Sequence, residues 1–277
     1  MASDRNKLVF AGLIGLGGLA VLATLAGSSG RLPRGKGLTA PTVRGRSPEQ
    51  LADEFAAMGI QWAALAGRRG PNNPVTKPSW FVEELPKYAD ALRARGIQVV
   101  IYGWVTPEDW EKEADDLLRA ADAAKAVAIR INPEVDWTPG TTAQRATATK
   151  LMDKLTARYP VIVTSYGGGP RFFGPNFPWA EFAEKAAAGA PQLYGQAATL
   201  EARQARVQSW RDAGFRVIHP TIGANDEPAD IIAEAVATPH DGAIGIWSWG
   251  NIHAKPSRQA AIGSLKVGSS RTTSSEA

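Results

Sequence analysis

Hydrophobic and polar positions follow two alternating periods along most of this chain. Short runs rich in β-branched and aromatic residues, with a repeat of two, alternate with longer stretches whose apolar residues recur every three or four positions. Helix signals separate them, as at Ser47 followed by Pro48, and at Gly96. The pattern predicts strands at residues 38–44, 60–66, 97–105, 127–131, 161–166, 192–196, 216–222 and 243–249, with a helix after each.

This alternation predicts a single (β/α)8 TIM barrel over residues 38–267. Consecutive strands that are joined by helices run parallel, and their crossovers are right-handed. Eight such units in a row match a closed barrel, which typically uses about 250 residues. The alternative is a doubly wound open sheet, which usually carries a glycine-rich phosphate turn after its first strand. The sequence has no such turn there.

A hydrophobic segment precedes the barrel at residues 8–26. It contains no charged residue, and Thr24 is its one polar residue. As a helix it is just long enough to cross a hydrocarbon core of about 30 Å. We therefore expect a single-pass membrane anchor, with a cleaved signal peptide or a buried apolar arm as the alternatives. The predicted organisation is 1–27 anchor or signal segment, 28–37 linker, 38–267 barrel and 268–277 disordered tail.

The period of two also assigns strand side chains to the lumen or to the helix layer. In the fourth strand, Ile129 and Ile131 take the outward face, which leaves Arg130 and Asn132 for the lumen. Active sites of this fold lie at the carboxyl ends of the strands, and a polar lining there indicates a site because unpaired buried polar groups are costly. The side chains predicted to line this mouth are Tyr102, Trp104, Asn132, Glu134, Asp136, Tyr166, Tyr194, Gln196, Thr221, Trp247 and Trp249.

Carboxyl groups beside aromatic rings suit a sugar site, because a pyranose presents apolar C–H faces as well as hydroxyls. Glu134 and Asp136 offer the two carboxyl groups that glycoside hydrolysis normally needs. Burial should raise the pKa of Glu134, as a general acid requires. The alternative is that Glu134 has a structural role alone and pairs with Arg130 or with tyrosine hydroxyls. Asp226 or Glu227 is another candidate for the second carboxylate.

Composition narrows the partners. The chain has no cysteine, and its three histidines show no ligand spacing, so we expect neither a metal site nor a cofactor. The net charge is +4 and the pI about 9.4, but much of the basic excess lies near the N-terminus and not along one face of the barrel. We therefore expect no nucleic-acid partner. The expected partners are a glycan or cell-wall polymer and, through residues 8–26, a membrane, which places the chain at a cell envelope or virion or makes it secreted.

The predicted mouth resembles those of glycoside hydrolase families 18 and 25, which include chitinases and lysozyme-type muramidases. The fourth strand ends in the acidic sequence Pro-Glu-Val-Asp at residues 133–136. The sixth strand carries Tyr194 with Gln196, and the eighth carries Trp247 near its end. The resemblance implies a glycosidase for an amino-sugar polymer such as peptidoglycan. Glu134 would be its acid/base and Trp247 its sugar platform.

The resemblance also implies that Tyr166 and Tyr194 orient or stabilise the reacting sugar. Two departures from the families leave other hypotheses open. Where family 18 has spaced aspartates before its catalytic Glu, this chain has none, and residues 42–44 lack the first-strand Asp of family 25. The second hypothesis is therefore a non-catalytic glycan-binding or structural barrel of a bacterial envelope or phage particle. The third is an enzyme for a phosphorylated metabolite, with residues 223–225 as its candidate phosphate loop.

Overall fold

The computed structural model describes residues 32–43, 45–68, 83–167, 169–194, 199–224 and 227–267. The hydrophobic segment at 8–26, the tail at 268–277 and the predicted site residue Gln196 lie outside these ranges. Within the described ranges, no helix is both long enough and apolar enough to span a bilayer.

Eight parallel strands close into one barrel, as the sequence predicts. Each strand pairs with the next along the chain, and β8 pairs with β1. The strands are β1 (Gly35–Ala40), β2 (Trp62–Arg68), β3 (Gln98–Val105), β4 (Ala128–Pro133), β5 (Val161–Tyr166), β6 (Ala188–Leu193), β7 (Thr221–Gly223) and β8 (Ala243–Trp247).

Helices surround the strands. In the first, the predicted start is confirmed: the Ser47 hydroxyl accepts from the backbone N–H of Gln50, and the Gln50 side chain accepts from the backbone N–H of Ser47. The helices are α1 (Pro48–Ala57), α2 (Leu85–Ala94), α3 (Trp110–Ala124), α4 (Thr142–Thr156), α5 (Pro170–Phe173), α6 (Trp179–Lys185), α7 (Leu200–Asp212), α8 (Pro228–Ala237), α9 (Trp249–Ile252) and α10 (Pro256–Ser264).

The first strand begins at Gly35, inside the segment predicted as linker. The glycines of β1 interrupt the alternation that would predict a strand. Packing nevertheless requires glycine at position 37. A Cβ on Gly37 would lie 1.8 Å from the Trp62 ring. Because Gly37 has no side chain, Trp62 can fill the lumen, where its Nε1 donates to the Gly35 carbonyl at 3.3 Å. The predicted start at residue 38 is therefore wrong.

The sixth strand also begins earlier than predicted. It covers Ala188–Leu193, whereas the sequence pattern places it at 192–196. Alanine and glycine have low β propensity, so the pattern misses them. They are small for a reason: Ala188 and Ala190 pack in the lumen, and a Cβ on Gly189 would lie 2.8 Å from the Phe215 ring.

Two hydrophobic clusters separate the lumen from the helix layer. In β4, Ile129 and Ile131 belong to the outer cluster, as predicted. The lumen is a packed core rather than a pore. Its buried members are Trp62, Ala64, Val100, Tyr102, Ala128, Ile162, Ala188 and Ala190.

A fully buried arginine occupies the lumen among three threonine hydroxyls. Arg130 Nη2 donates to Thr164 Oγ1 at 2.9 Å and also to Thr221 Oγ1. Its Nη1 donates to Thr39 Oγ1 at 3.5 Å. Thr221 is completely buried, so its predicted role as a substrate contact is wrong. Inside the barrel, the Thr221 hydroxyl accepts a hydrogen bond from the Arg130 guanidinium. The sequence pattern did not predict this pair.

His219 gives the fold a predictable response to acid. Burial lowers the pKa of His219 to about 4, although Asp241 acts in the opposite direction. The unfolded chain, with a histidine pKa of about 6.5, therefore takes up a proton first as the pH falls. We expect this group to lower the free energy of unfolding by roughly 3 kcal/mol between about pH 6.5 and pH 4. Urea denaturation at neutral and at acid pH should show a smaller pH effect in His219→Gln, and an unchanged pH effect would contradict this role.

Candidate active site

Glu134 is the first residue after β4, at the carboxyl end of the barrel. A short 3-10 turn, Val135–Trp137, follows it. Trp137 anchors this turn: its side chain is completely buried, its Nε1 donates to the Val105 carbonyl at 2.9 Å, and its ring meets Phe182 edge to face at 5.1 Å. Because the turn is fixed by packing, the position of Glu134 is fixed with it.

Neutral hydrogen-bond donors surround the Glu134 carboxyl group. Ser165 Oγ donates to Oε2 at 3.3 Å, and Gln192 Nε2 donates to Oε1 at 3.3 Å. The backbone N–H of Tyr166 also donates to this carboxyl group. The alternative pairing of Glu134 with Arg130 is not observed, because the guanidinium donates to threonine hydroxyls.

Gln192 links Glu134 to a second polar chain. Its Nε2 also donates to Asn132 Oδ1 at 2.9 Å, and Asn132 Nδ2 donates to the Tyr102 hydroxyl at 3.2 Å. The structure thus brings together the predicted site residues Tyr102, Asn132 and Glu134. Sequence reasoning did not select Gln192 for the site, although its inward position on β6 was visible in the strand pattern.

Ser165 is the other site residue that sequence reasoning missed. It lies in β5 between Thr164 and Tyr166, which the alternation predicts to face the lumen, so the period of two gives Ser165 the outward face. The Glu134 side chain lies beyond the end of β4 and reaches the Ser165 hydroxyl at the end of the neighbouring strand. The strand pattern assigns faces only within a strand, so it could not show this contact.

Burial raises the pKa of Glu134 to about 7. The hydrogen bonds from the Tyr166 backbone, Ser165, Asn132 and Gln192 act in the opposite direction, because donors stabilise the ionised form. The predicted upward shift is confirmed, with the predicted cause. A carboxyl group with this pKa is present in both the protonated and the ionised form near neutral pH, as a general acid and base requires.

Three aromatic rings line the mouth. Trp247 meets Tyr102 edge to face at 5.6 Å and lies nearly parallel to Tyr194 at 6.4 Å. Burial raises the pKa of Tyr194 well above its usual value, although Arg130 acts in the opposite direction. The Tyr194 hydroxyl therefore keeps its proton at neutral pH and can donate a hydrogen bond.

Asp136 lies close to Glu134 in the sequence but contacts a different group. Its Oδ2 accepts a hydrogen bond from Trp104 Nε1 at 3.1 Å, and both side chains are half-buried. This contact fixes the orientation of the indole, which is a second partly exposed tryptophan at the mouth besides Trp247.

Tyr166 contacts Glu134 through its backbone, while its ring packs elsewhere. The ring lies 4.4 Å from the Phe172 ring, and the Arg206 guanidinium lies 6.0 Å from its centre. The predicted catalytic role of the Tyr166 side chain stays a prediction. The Tyr166 ring packs against the outer cluster.

The prediction that Trp249 faces the lumen is wrong. Its side chain is completely buried in the outer cluster, where it meets Phe55 edge to face at 5.2 Å. The prediction extended the strand alternation through residue 249. However, β8 ends at Trp247 and Trp249 begins the helix α9, so the period of two no longer applies there.

The arrangement joins a carboxyl group that can release a proton near neutral pH to an aromatic residue, Tyr102, through Gln192 and Asn132. In the ranges that the structure describes, no group of three His, Asp or Glu side chains could hold a metal ion.

Comparisons with known proteins identify the fold. No protein-family model and no curated protein matches the sequence. A glycoside hydrolase family 18 chitinase from Pseudoalteromonas aurantia matches with a TM-score of 0.60 at 14% identity, over 83% of this chain and 100% of the other. The spore cortex-lytic enzyme SleL of Bacillus cereus matches with a TM-score of 0.58 at 9% identity, over 83% and 73%.

A third similar structure is named as a synthase and not as a glycosidase. Dihydrodipicolinate synthase from Rhodopseudomonas palustris matches with a TM-score of 0.54 at 14% identity, over 83% of this chain and 72% of the other. At these identities the likeness establishes the fold alone. The chain has the barrel fold that is also found in family 18 chitinases, as the resemblance implies, but a shared fold does not establish a shared chemistry.

Proposed function

We propose that this barrel is a glycoside hydrolase for an amino-sugar polymer such as peptidoglycan, with Glu134 as its acid/base. The observation that carries the proposal is a buried carboxyl group with a pKa of about 7 that is linked through Gln192 and Asn132 to Tyr102, whose ring packs against Trp247. The similar structures that are named as chitinases and as a cortex-lytic enzyme support the substrate class.

Glu134 acts twice in the proposed reaction. In its protonated form it gives its proton to the oxygen that leaves when the glycosidic bond breaks. The resulting carboxylate then takes a proton from the water that attacks the sugar. A pKa near 7 serves both steps, because neither form is rare at neutral pH.

The nucleophile in this proposal is the N-acetyl group of the substrate. Most glycosidases use a second carboxylate, but substrate-assisted enzymes do not. The side chains that bond to Glu134 are neutral, and the Asp136 carboxylate accepts a hydrogen bond from Trp104. We therefore assign Asp136 to the positioning of the Trp104 indole. This assignment makes an N-acetylated sugar a requirement of the site.

The aromatic residues hold the sugar in place. Trp247 is partly exposed and packs against two tyrosines, so it offers a rigid apolar face to a pyranose ring. The Tyr194 hydroxyl, protonated at neutral pH, donates to an oxygen or carbonyl of the bound sugar. We further propose that residues 8–26 anchor the chain in a membrane or direct its export, which would place the barrel at a cell envelope.

The proposal is tested by the release of reducing ends. The full chain in detergent is incubated with purified peptidoglycan, chitooligosaccharides and a β-1,3-glucan, and the products are identified by mass spectrometry. We expect cleavage of one or both N-acetylated polymers and none of the glucan. Cleavage of the glucan would contradict the N-acetyl nucleophile. Binding without any cleavage would instead favour the non-catalytic barrel.

The pH profile gives a second prediction. Since Glu134 must be protonated to act as the acid, kcat/KM should fall as the pH rises through about 7. Ser165→Ala removes a donor that stabilises the ionised carboxylate, so the pKa should rise and the alkaline limb should move to higher pH, by about half a unit. Ser209→Ala is the matched control, because its hydroxyl bonds to a carbonyl of its own helix. A shift to lower pH in Ser165→Ala would contradict the assignment.

A further inference from the structure

The positive charge of Arg130 is buried in the lumen without a carboxylate beside it. The side chain is 2% exposed, and its guanidinium donates to the hydroxyls of Thr39, Thr164 and Thr221. In the part of the chain that the structure describes, its Nε has no hydrogen-bond partner. Arginine side chains are almost never fully buried unless they are paired with an opposite charge. This guanidinium therefore lacks the partner that such a group normally has.

The charge lies close to the aromatic residues of the mouth. Arg130 in β4 and Tyr102 in β3 are register partners, and the charge of Arg130 acts on the hydroxyl groups of Tyr102 and Tyr194. Both tyrosine rings pack against Trp247. A buried charge is screened poorly, because its surroundings have a low dielectric constant. The positive potential of Arg130 therefore extends to these three rings.

This potential opposes the proposed reaction when the sugar is neutral. The transition state of glycoside hydrolysis resembles an oxocarbenium ion, so positive charge develops on the sugar. A fixed positive charge nearby raises the energy of that state. The strand that carries Arg130, Ala128–Pro133, contains no acidic residue to balance it. A negative charge on the substrate itself would supply the balance.

We propose that the mouth prefers a sugar that bears a carboxylate, and that Arg130 sets this preference through its electric field. One sugar of this class is the N-acetylated, lactyl-bearing sugar of peptidoglycan, when its lactyl carboxyl group is free. The inference rests on the proposed function and deepens it, since charge becomes the feature that separates this polymer from neutral chitooligosaccharides. Arg130 stays buried and acts on the sugar from a distance, as a specificity-determining residue.

The test uses one ligand in a charged and an uncharged form. The probes are a tetrasaccharide of alternating N-acetylglucosamine and N-acetylmuramic acid with free lactyl carboxylates, and the same tetrasaccharide with those groups amidated. Calorimetric titration of Glu134→Gln, made as the full chain in detergent, should show about tenfold tighter binding of the acidic form. Equal affinities, or tighter binding of the amide, would overturn the inference.

Charge variants test whether Arg130 is the cause. In the same Glu134→Gln background, Arg130→Gln should abolish the preference, while Arg130→Lys, which keeps the charge, should retain it. Arg119→Gln is the matched control, because it removes the same charge from a side chain that is 63% exposed on α3. It should leave the preference intact. A preference that survives in a folded Arg130→Gln chain would overturn the assignment.

Salt dependence decides the question if thermal melting shows that Arg130→Gln does not fold. A preference set by a buried charge should weaken little as the salt concentration rises. A preference that disappears with salt would come from exposed basic residues and would overturn the inference.

The proposed function is tested separately by cleavage. Acid-selective binding without release of reducing ends would contradict the hydrolase and support the acidic ligand. Cleavage of both forms with equal kcat/KM would contradict the acidic ligand alone.

Discussion

Glu134→Gln is expected to lower kcat on an amino-sugar polymer by about 10²–10⁴-fold, the usual contribution of a positioned acid/base. Glutamine has the same shape: its oxygen can still accept the hydrogen bond from Gln192, while its amide N–H can donate to the Ser165 hydroxyl. It has no proton of suitable acidity to give, so the leaving oxygen departs unassisted. KM should change little, because the aromatic contacts to the sugar remain. Steady-state assays of reducing ends measure both constants.

Asp136→Asn is the matched control for this variant. If Asp136 only positions the Trp104 indole, removing its charge should alter KM more than kcat, and by a smaller factor. If Asp136 is a second catalytic carboxylate, kcat should fall as far as in Glu134→Gln. Turnover that survives unchanged in Glu134→Gln would remove Glu134 from the mechanism altogether.

Trp137→Ala is expected to lower the free energy of unfolding by about 3–5 kcal/mol, the range for large aromatic truncations in a core. The indole is completely buried, packs against Phe182 and donates to the Val105 carbonyl. Its removal leaves a cavity between the turn after β4 and the helix layer. Urea denaturation, followed by circular dichroism, measures the loss. Because this turn follows Glu134 directly, activity should also fall at temperatures where the variant is still folded.

Trp137→Phe separates the ring from its hydrogen bond. The phenyl group keeps most of the packing, but the Val105 carbonyl loses its donor, which costs about 1–3 kcal/mol when the group is buried.

Trp110→Ala is the control for Trp137→Ala. Since Trp110 is only half-buried at the start of α3, we expect a smaller loss of stability there. Equal losses at positions 110 and 137 would contradict the anchoring role of Trp137.

The barrel could be predicted from the sequence because helices and strands differ in period along the whole chain. The errors in the starts of β1 and β6 fall where close packing demands glycine, in the lumen at Gly37 and against the outer cluster at Gly189. Gly37 and Gly189 face Trp62 and Phe215, and a side chain at either position would collide with those rings. Glycines add nothing to the hydrophobic pattern, so the start of a strand that contains them is predicted too far along the chain. The need for glycine at these positions arises only from contacts that form in the closed barrel.

Alternation within single strands predicted part of the site. Asn132, placed in the lumen by the alternation of β4, and Glu134, expected just beyond it, lie in one hydrogen-bonded group with Tyr102. Contacts between strands were not predictable, and this is why Ser165 was missed. The same limit explains Thr221, because its partner Arg130 lies on another strand.

Acid catalysis by Glu134 requires that its carboxyl group keeps a proton near neutral pH. A carbon-13 NMR titration of the glutamate side-chain carboxyl groups measures it directly, with Glu134→Gln to assign the resonance. We predict an apparent pKa of about 7 for Glu134. A midpoint near the ordinary value of 4.5 would contradict the account, because the group would then be ionised at the pH where it must donate its proton.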